Sequence, residues 1–274
     1  MTAKSRLGQN FLHDANAIQR IVTALGDCST RTVVEIGPGK GAITRVLAGH
    51  ARHVLAIELD AELAARLRSE LSPERVSIVN LDVLRFDFAA AAAQTGERLI
   101  VVGNLPYYIT SPILLKLAAS HTALDHAVLM VQREVADRVA AAPGSRDYGF
   151  LSVATQLYGF VEPLFTLPPG AFSPPPEVHS TVLRWRFAPR FTALGVDQAQ
   201  FLAFLRKAFA QKRKTLANNL RAAGVPSAQV AELLSAVGID EKARSEALPV
   251  ESLADLWKQI AALSNGSLSN QIST

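Results

Sequence analysis

Cysteine is almost missing from this chain. Cys28 stands alone, which excludes an internal disulfide and any zinc site built on several thiolates, and suits a small buried apolar side chain. Long apolar runs are missing as well: no stretch approaches the roughly 20 residues of a membrane helix. Residues 1–10 are polar and basic with no apolar signal core behind them, so a cytoplasmic protein without a membrane partner is expected. The six histidines, at 13, 50, 53, 121, 126 and 179, share no ligand spacing on one helix face, and no metal is expected. Acidic residues vanish from one long segment, Gln198 to Ala231, which carries six basic residues.

What is present is enough for a core. A chain of 274 residues with 49% hydrophobic content can build one large α/β domain and a small appendage. The acid-free segment has helical periodicity in Phe201, Phe204, Leu205, Phe209, Leu216 and Leu220, which predicts one helix over 198–223. On that helix Arg206, Lys207, Arg213, Lys214 and Arg221 share a sector, a stripe suited to nucleic-acid phosphates or to plain solvation.

Upstream, apolar strands alternate with helices. Strands are predicted at 32–36, 53–57, 76–80, 99–102 and 127–131, and helices at 12–25 (capped by Asp14), 42–48, 61–71 and 111–119. This βαβ rhythm makes a parallel sheet with right-handed crossovers. Helices follow at 135–140 and 151–158, and strands near 161–167 and 178–187 could pair as a hairpin. Pro189 and Gly195 mark a linker before segments that read as all helix, so the domains are placed at 1–189 and 190–274, with a polar, frayed tail from 264.

Two places carry chemistry. Asn104-Leu105-Pro106-Tyr107 follows the apolar strand 99–102, at the sheet edge where α/β proteins bind ligands. An amide, a proline-fixed backbone and an aromatic ring there fit a flat, stackable substrate with N–H groups, such as a nucleobase amine; the alternative is a strand-to-helix turn with Tyr107 as core. The second place is the glycine loop Glu35-Ile36-Gly37-Pro38-Gly39-Lys40-Gly41-Ala42, with Glu58 at the end of the next strand positioned for ribose hydroxyls. Pro38 removes a backbone donor that a pyrophosphate cradle needs, whereas S-adenosylmethionine carries no phosphate. Glu35 would set a carboxylate near that ligand's cationic groups, and Asp82 would meet its adenine amine; a strand-end charge and a helix cap are the alternatives for these two acids.

Taken in order, Gln9-Asn10-Phe11-Leu12, the Glu35–Gly39 loop, Glu58, Asp82, Asn104–Tyr107, Tyr148-Gly149 with Leu151-Ser152-Val153, and Phe172-Ser173-Pro174-Pro175-Pro176-Glu177-Val178 resemble the small-subunit rRNA adenine N6,N6-dimethyltransferases. The resemblance runs from about residue 4 to Leu220. It implies a Rossmann-like class I methyltransferase fold, α/β with a mostly parallel seven-stranded sheet, and a small C-terminal all-α domain that binds RNA. It implies S-adenosylmethionine held by Asn10, Leu12, Gly37, Glu58, Asp82 and Asn104. The implied reaction dimethylates two adjacent adenosines in a hairpin loop near the 3′ end of 16S rRNA, in a pre-30S particle, by a monomer. Tyr108 and His179 depart from the family pattern, where asparagine and aspartate are common, which puts fine substrate positioning in doubt more than the chemistry.

The chemistry expected of such a site needs acceptors rather than a base. The Asn104 oxygen and the Leu105 or Pro106 carbonyl would take the N6 protons, Tyr107 would stack on the base, and Phe172 would either clamp its other face or anchor the proline loop. Three rivals remain at this point: a non-catalytic RNA-binding assembly factor, a methylase of another rRNA adenosine, and a nicotinamide oxidoreductase, for which no proton relay is visible.

Overall fold

Strand β2 (Thr32–Ile36) is buried at every position, as a parallel strand covered on both faces must be. It lies between β3 (His53–Glu58) and β5 (Leu99–Asn104), with β4 (Val76–Asn80) beyond β3 and β6 (Leu124–Gln132) beyond β5, all parallel. Two antiparallel strands, β9 (Ser180–Phe187) and then β7 (Gly159–Leu167), complete a seven-stranded sheet in the order β4-β3-β2-β5-β6-β9-β7. This is the expected α/β class. The computed structural model describes residues 9–269, so the expectations for residues 1–8 and 270–274 lie outside the described residues.

Helices α1 (Ala15–Ala24), α2 (Ala42–His50), α3 (Ala61–Glu70), α4 (Phe88–Thr95), α5 (Thr110–Ala119) and α6 (Arg133–Val139) alternate with these strands. Helix α1 is shorter than expected. Asp14 caps it by accepting from Ala17 N at 2.9 Å, while Leu12 belongs to a short strand, β1 (Phe11–Leu12). That strand pairs with β8 (Phe172–Ser173) as an antiparallel ribbon, Phe11 opposite Ser173. Ile18, Ile21 and Val22 of α1 then pack with Val33, Val54, Ile100, Val102, Val128 and Met130, whose alternate spacing along the strands lines one face of the sheet. Strands β7 and β9 pair as expected, with β8 lying between them in sequence.

The chain divides into two compact units, 9–140 with 158–188, and 141–157 with 189–269. Residues 141–157, read from sequence as part of the first domain, fall in the second unit. That unit holds most of α7 (Phe150–Tyr158) together with α8 (Phe191–Leu194), α9 (Gln198–Ala208), α10 (Leu216–Ala222), α11 (Ser227–Ala236) and α12 (Val250–Ser269). Tyr148 sits edge-on to Phe209 with ring centroids 6.2 Å apart, which ties the early segment to the later helices.

The single helix expected over 198–223 is broken. Helix α9 stops at Ala208 because side chains claim the carbonyls that would continue it: Asn219 Nδ2 donates to Ala208 O at 2.8 Å, and Ser245 Oγ donates to the same oxygen at 2.5 Å. Thr215 then starts α10, its hydroxyl accepting from Asn218 N at 3.2 Å. Arg206 and Lys207 are exposed on the last turn of α9, Arg213 and Lys214 lie in the exposed turn between the helices, and Arg221 is half-buried on α10. The five cations therefore do not form one helical stripe.

Candidate active site

In this sheet the chain runs from β2 outward to β3 and β4, then returns to the other side of β2 as β5. Ligands of open α/β sheets bind at such a reversal, beyond the carboxyl ends of the strands. A cavity opens there. It is lined by Glu35 and Ile36 of β2, the loop Gly37–Lys40, Ile57 and Glu58 of β3, Leu81 and Asp82 after β4, and Asn104–Ile109 after β5, with residues 9–12 along one side.

Local backbone shapes this cavity. Gly39 adopts φ +57°, and a Cβ on it would come within 2.9 Å of the Phe11 ring, so the loop and the β1 segment touch with no room for a side chain. Gly103 is needed for a different reason: a Cβ there would meet Ile36 O at 2.8 Å, blocking the close approach of β5 to β2 just before Asn104. Lys40 places its ammonium 4.6 Å from the centre of the Phe11 ring.

The acids differ in their surroundings. Glu35 is 2% exposed, and its Oε2 has no hydrogen-bond partner among the described residues. Burial pushes its carboxyl up to about 7, against the pull of the nearby Thr44 hydroxyl and with a further push from Glu58. Glu58 is also raised by burial, opposed by the N–H groups it accepts: Asp60 N at 2.9 Å on Oε1 and Gly39 N at 3.0 Å on Oε2. Each oxygen keeps a lone pair for a ligand hydroxyl. Asp82 Oδ1 accepts from Leu84 N at 2.9 Å and so caps the one-turn helix Val83–Arg85, while its Oδ2 has no partner among the described residues. The cap alternative raised for Asp82 is thus real and still leaves one oxygen without a partner on a residue that lines the cavity.

At the mouth, Asn104 Nδ2 donates to Asn10 O at 2.9 Å, which directs Oδ1 away as an acceptor. The Pro106 carbonyl already accepts from Thr110 Oγ1 at 3.0 Å and Ile109 N at 3.2 Å. Of the two carbonyls considered, Leu105 O is the one with no hydrogen bond among the described residues. Tyr107 is half-buried and its hydroxyl shares a 2.7 Å hydrogen bond with Ser180 Oγ. Burial raises the Tyr107 phenol, with the Ser180 hydroxyl pulling the other way, so it stays neutral near pH 7 and is no base.

Asn10, Leu12, Glu35, Gly37, Glu58, Asp82, Asn104, Leu105, Pro106 and Tyr107 all line this one cavity. Phe172 does not. It is 2% exposed in the core around α1, so the structure holds it as an anchor and corrects the clamp expectation. Tyr108 is 56% exposed at the cavity rim and is not core, and His179 is exposed, its carbonyl accepting from Arg133 N at 3.0 Å. Sequence reasoning missed Phe11, Lys40 and Ser180. Lys40 lay within the glycine loop and could have been found there, whereas the Tyr107–Ser180 pair is joined only by folding.

Comparison with known families decides among the remaining rivals. The ribosomal RNA adenine dimethylase model matches residues 1–262. The chain belongs to the ribosomal RNA adenine dimethylase family. Its relatives include the ribosomal RNA small subunit methyltransferase A of Acidobacterium capsulatum, 58% identical over 94% of this chain and 91% of the relative, and that of Koribacter versatilis, 51% identical over 94% of each. The 23S rRNA methyltransferase ErmE matches with a TM-score of 0.68 at 27% identity, covering 91% of this chain and 98% of that one. A dimethyladenosine transferase from Plasmodium falciparum, at 23% identity, shares the fold with a TM-score of 0.77 over 92% of this chain and 98% of its own. Enzymes of the dimethylase family use S-adenosylmethionine, and this cavity fits it. A buried carboxylate oxygen without a donor suits a cationic ligand, two further acids keep free acceptor sites, and the close-packed glycine loop lets a ligand approach the backbone.

Proposed function

We propose that this dimethylase transfers methyl groups from S-adenosylmethionine to N6 of two adjacent adenosines in a hairpin loop near the 3′ end of 16S rRNA, within a partly assembled small subunit, as a cytoplasmic monomer. The observation that carries the reading is the Asn104 amide: its Nδ2 donates to Asn10 O, which leaves Oδ1 as an acceptor, and Asn104 and Leu105, whose carbonyl has no hydrogen bond among the described residues, both line the cavity.

Asn10, Leu12, Gly37, Glu58, Asp82 and Asn104 would hold the cofactor, Glu58 through ribose hydroxyls, Asp82 through the adenine amine, and Glu35 would face its positive charge. When bound, S-adenosylmethionine supplies an electrophilic methyl group on a sulfonium. The adenine N6 lone pair is delocalised into the ring, so N6 must pyramidalise to attack. Asn104 Oδ1 and Leu105 O favour that change by accepting the two N6 protons as they become more acidic in the transition state. The proton leaves for solvent after transfer, so the step needs no base beside Asn104. Tyr107 stacks on the extruded base, a contact of roughly 1–3 kcal/mol. Arg206, Lys207, Arg213, Lys214 and Arg221 hold phosphates and so position the RNA without reading its bases.

The test is incubation with S-adenosylmethionine and undermethylated small subunits, followed by digestion and mass spectrometry with position mapping. Two adjacent dimethylated adenosines near the 3′ end are expected, with Asn104→Ala binding RNA but transferring no methyl. Product at another adenosine, or none despite cofactor binding, overturns the reading.

A further inference from the structure

A stacking surface needs only a ring, yet residue 107 is a tyrosine whose hydroxyl reaches a fully buried serine. Ser180 opens β9 and is 0% exposed, opposite Gln132 of β6 on one side and Leu167 of β7 on the other. Its backbone is therefore held by the sheet on both sides. Tyr107 stands on a one-turn helix, Tyr107–Ile109, with its ring only half-buried. The 2.7 Å hydrogen bond between Tyr107 Oη and Ser180 Oγ joins this lightly held ring to the rigid sheet. The hydroxyl lies on the axis about which the ring turns, so this bond fixes where the ring's far end sits and hence the position and direction of that axis.

We propose that Ser180 is a positioning residue which, through Tyr107, holds the stacking ring in place over the base and matters more for the second methyl transfer than for the first. The inference rests on the dimethylase reading above. Unmethylated adenine offers two N6 protons, one for Asn104 Oδ1 and one for Leu105 O. After the first transfer N6 keeps one proton, so one acceptor loses its bond and the base relies more on the ring for its alignment. An untethered ring then penalises the second step selectively.

The experiment follows N6-methyladenosine and N6,N6-dimethyladenosine over time by mass spectrometry, for the native chain, Ser180→Ala, Tyr107→Phe and the double variant. In each single variant the second transfer should slow relative to the first by roughly three- to tenfold, the ratio given by one ordinary neutral hydrogen bond. The double variant should be no worse than either single one, because both remove the same bond. Ser180→Thr, which keeps a hydroxyl, should restore dimethylation at least in part. Native product ratios in both single variants, or losses that multiply in the double one, would overturn the proposal. Tyr107→Phe leaves the buried strand untouched and decides the question if Ser180→Ala does not fold. A native chain that makes no methyladenosine refutes the dimethylase reading instead.

Discussion

Replacing Glu35 by glutamine should alter the pH dependence of stability. The carboxyl is buried and held at about 7, against an ordinary value of 4.5. Because the folded value is the higher one, folding favours the protonated acid. Below pH 4.5 both states are protonated and burial of this acid carries no ionisation cost. As pH rises from there the unfolded chain ionises first, and stability falls until the pH has passed 7, where the loss levels off. Between pH 5 and 8 this loss amounts to about 2–3 kcal/mol. Glutamine has the same shape and does not ionise, so Glu35→Gln should lack that slope, while Glu58 and the other titrating groups remain in both proteins. Urea unfolding at pH 5, 6, 7 and 8 measures the difference, and parallel stability curves for the two proteins would refute the reasoning. The same argument predicts proton release near pH 7 when a cationic ligand binds beside Glu35. Calorimetric heats of S-adenosylmethionine binding should depend on the buffer's ionisation enthalpy in the native chain more than in Glu35→Gln.

Phe172→Ala should lower stability by about 3–5 kcal/mol, as large-to-small changes at a buried aromatic do; a midpoint unchanged in urea unfolding would place the ring outside the core. Removing two phosphate contacts with Arg213→Ala and Lys214→Ala should flatten the dependence of log K for RNA on log salt by about 1.5. Filter binding between 50 and 200 mM salt reads this, and an unchanged slope would take the turn between α9 and α10 off the RNA.

The parallel sheet was legible because β2 and β5 are short, mostly apolar runs punctuated by glycine, a local signal that needs no partner to be read. Glu35, Gly37, Glu58, Asp82 and Asn104–Tyr107 were legible for a related reason: each sits at or just past the end of a parallel strand, and those ends meet along one edge. Asn10 and Leu12, just before and within β1, lie outside that sheet and were legible only through the family resemblance. Register and pairing across long stretches of chain were not. Nothing local to Phe11 announces Ser173 as its partner, and nothing in Tyr107 announces Ser180. The helix over 198–223 failed in the same way, since its period is nearly continuous and the interruption comes from Asn219 and Ser245, polar residues that fold back onto Ala208 O. Phe172 could be read either as a clamp or as an anchor because an aromatic beside prolines suits an exposed surface and a core equally; only its burial against α1 decides.

The ribbon of β1 and β8 carries a consequence for how the protein is made. Asn10 and Phe11 leave the ribosome well before Asn104, and Ser173 emerges later still. Until then the carbonyl that orients the Asn104 amide has neither its partner nor the ribbon beside it. Synthesis from the N-terminus therefore lays down the cofactor loop and the first six sheet strands before the acceptor amide can be locked in place, and a nascent chain halted short of β8 would hold a folded glycine loop with an unaimed Asn104.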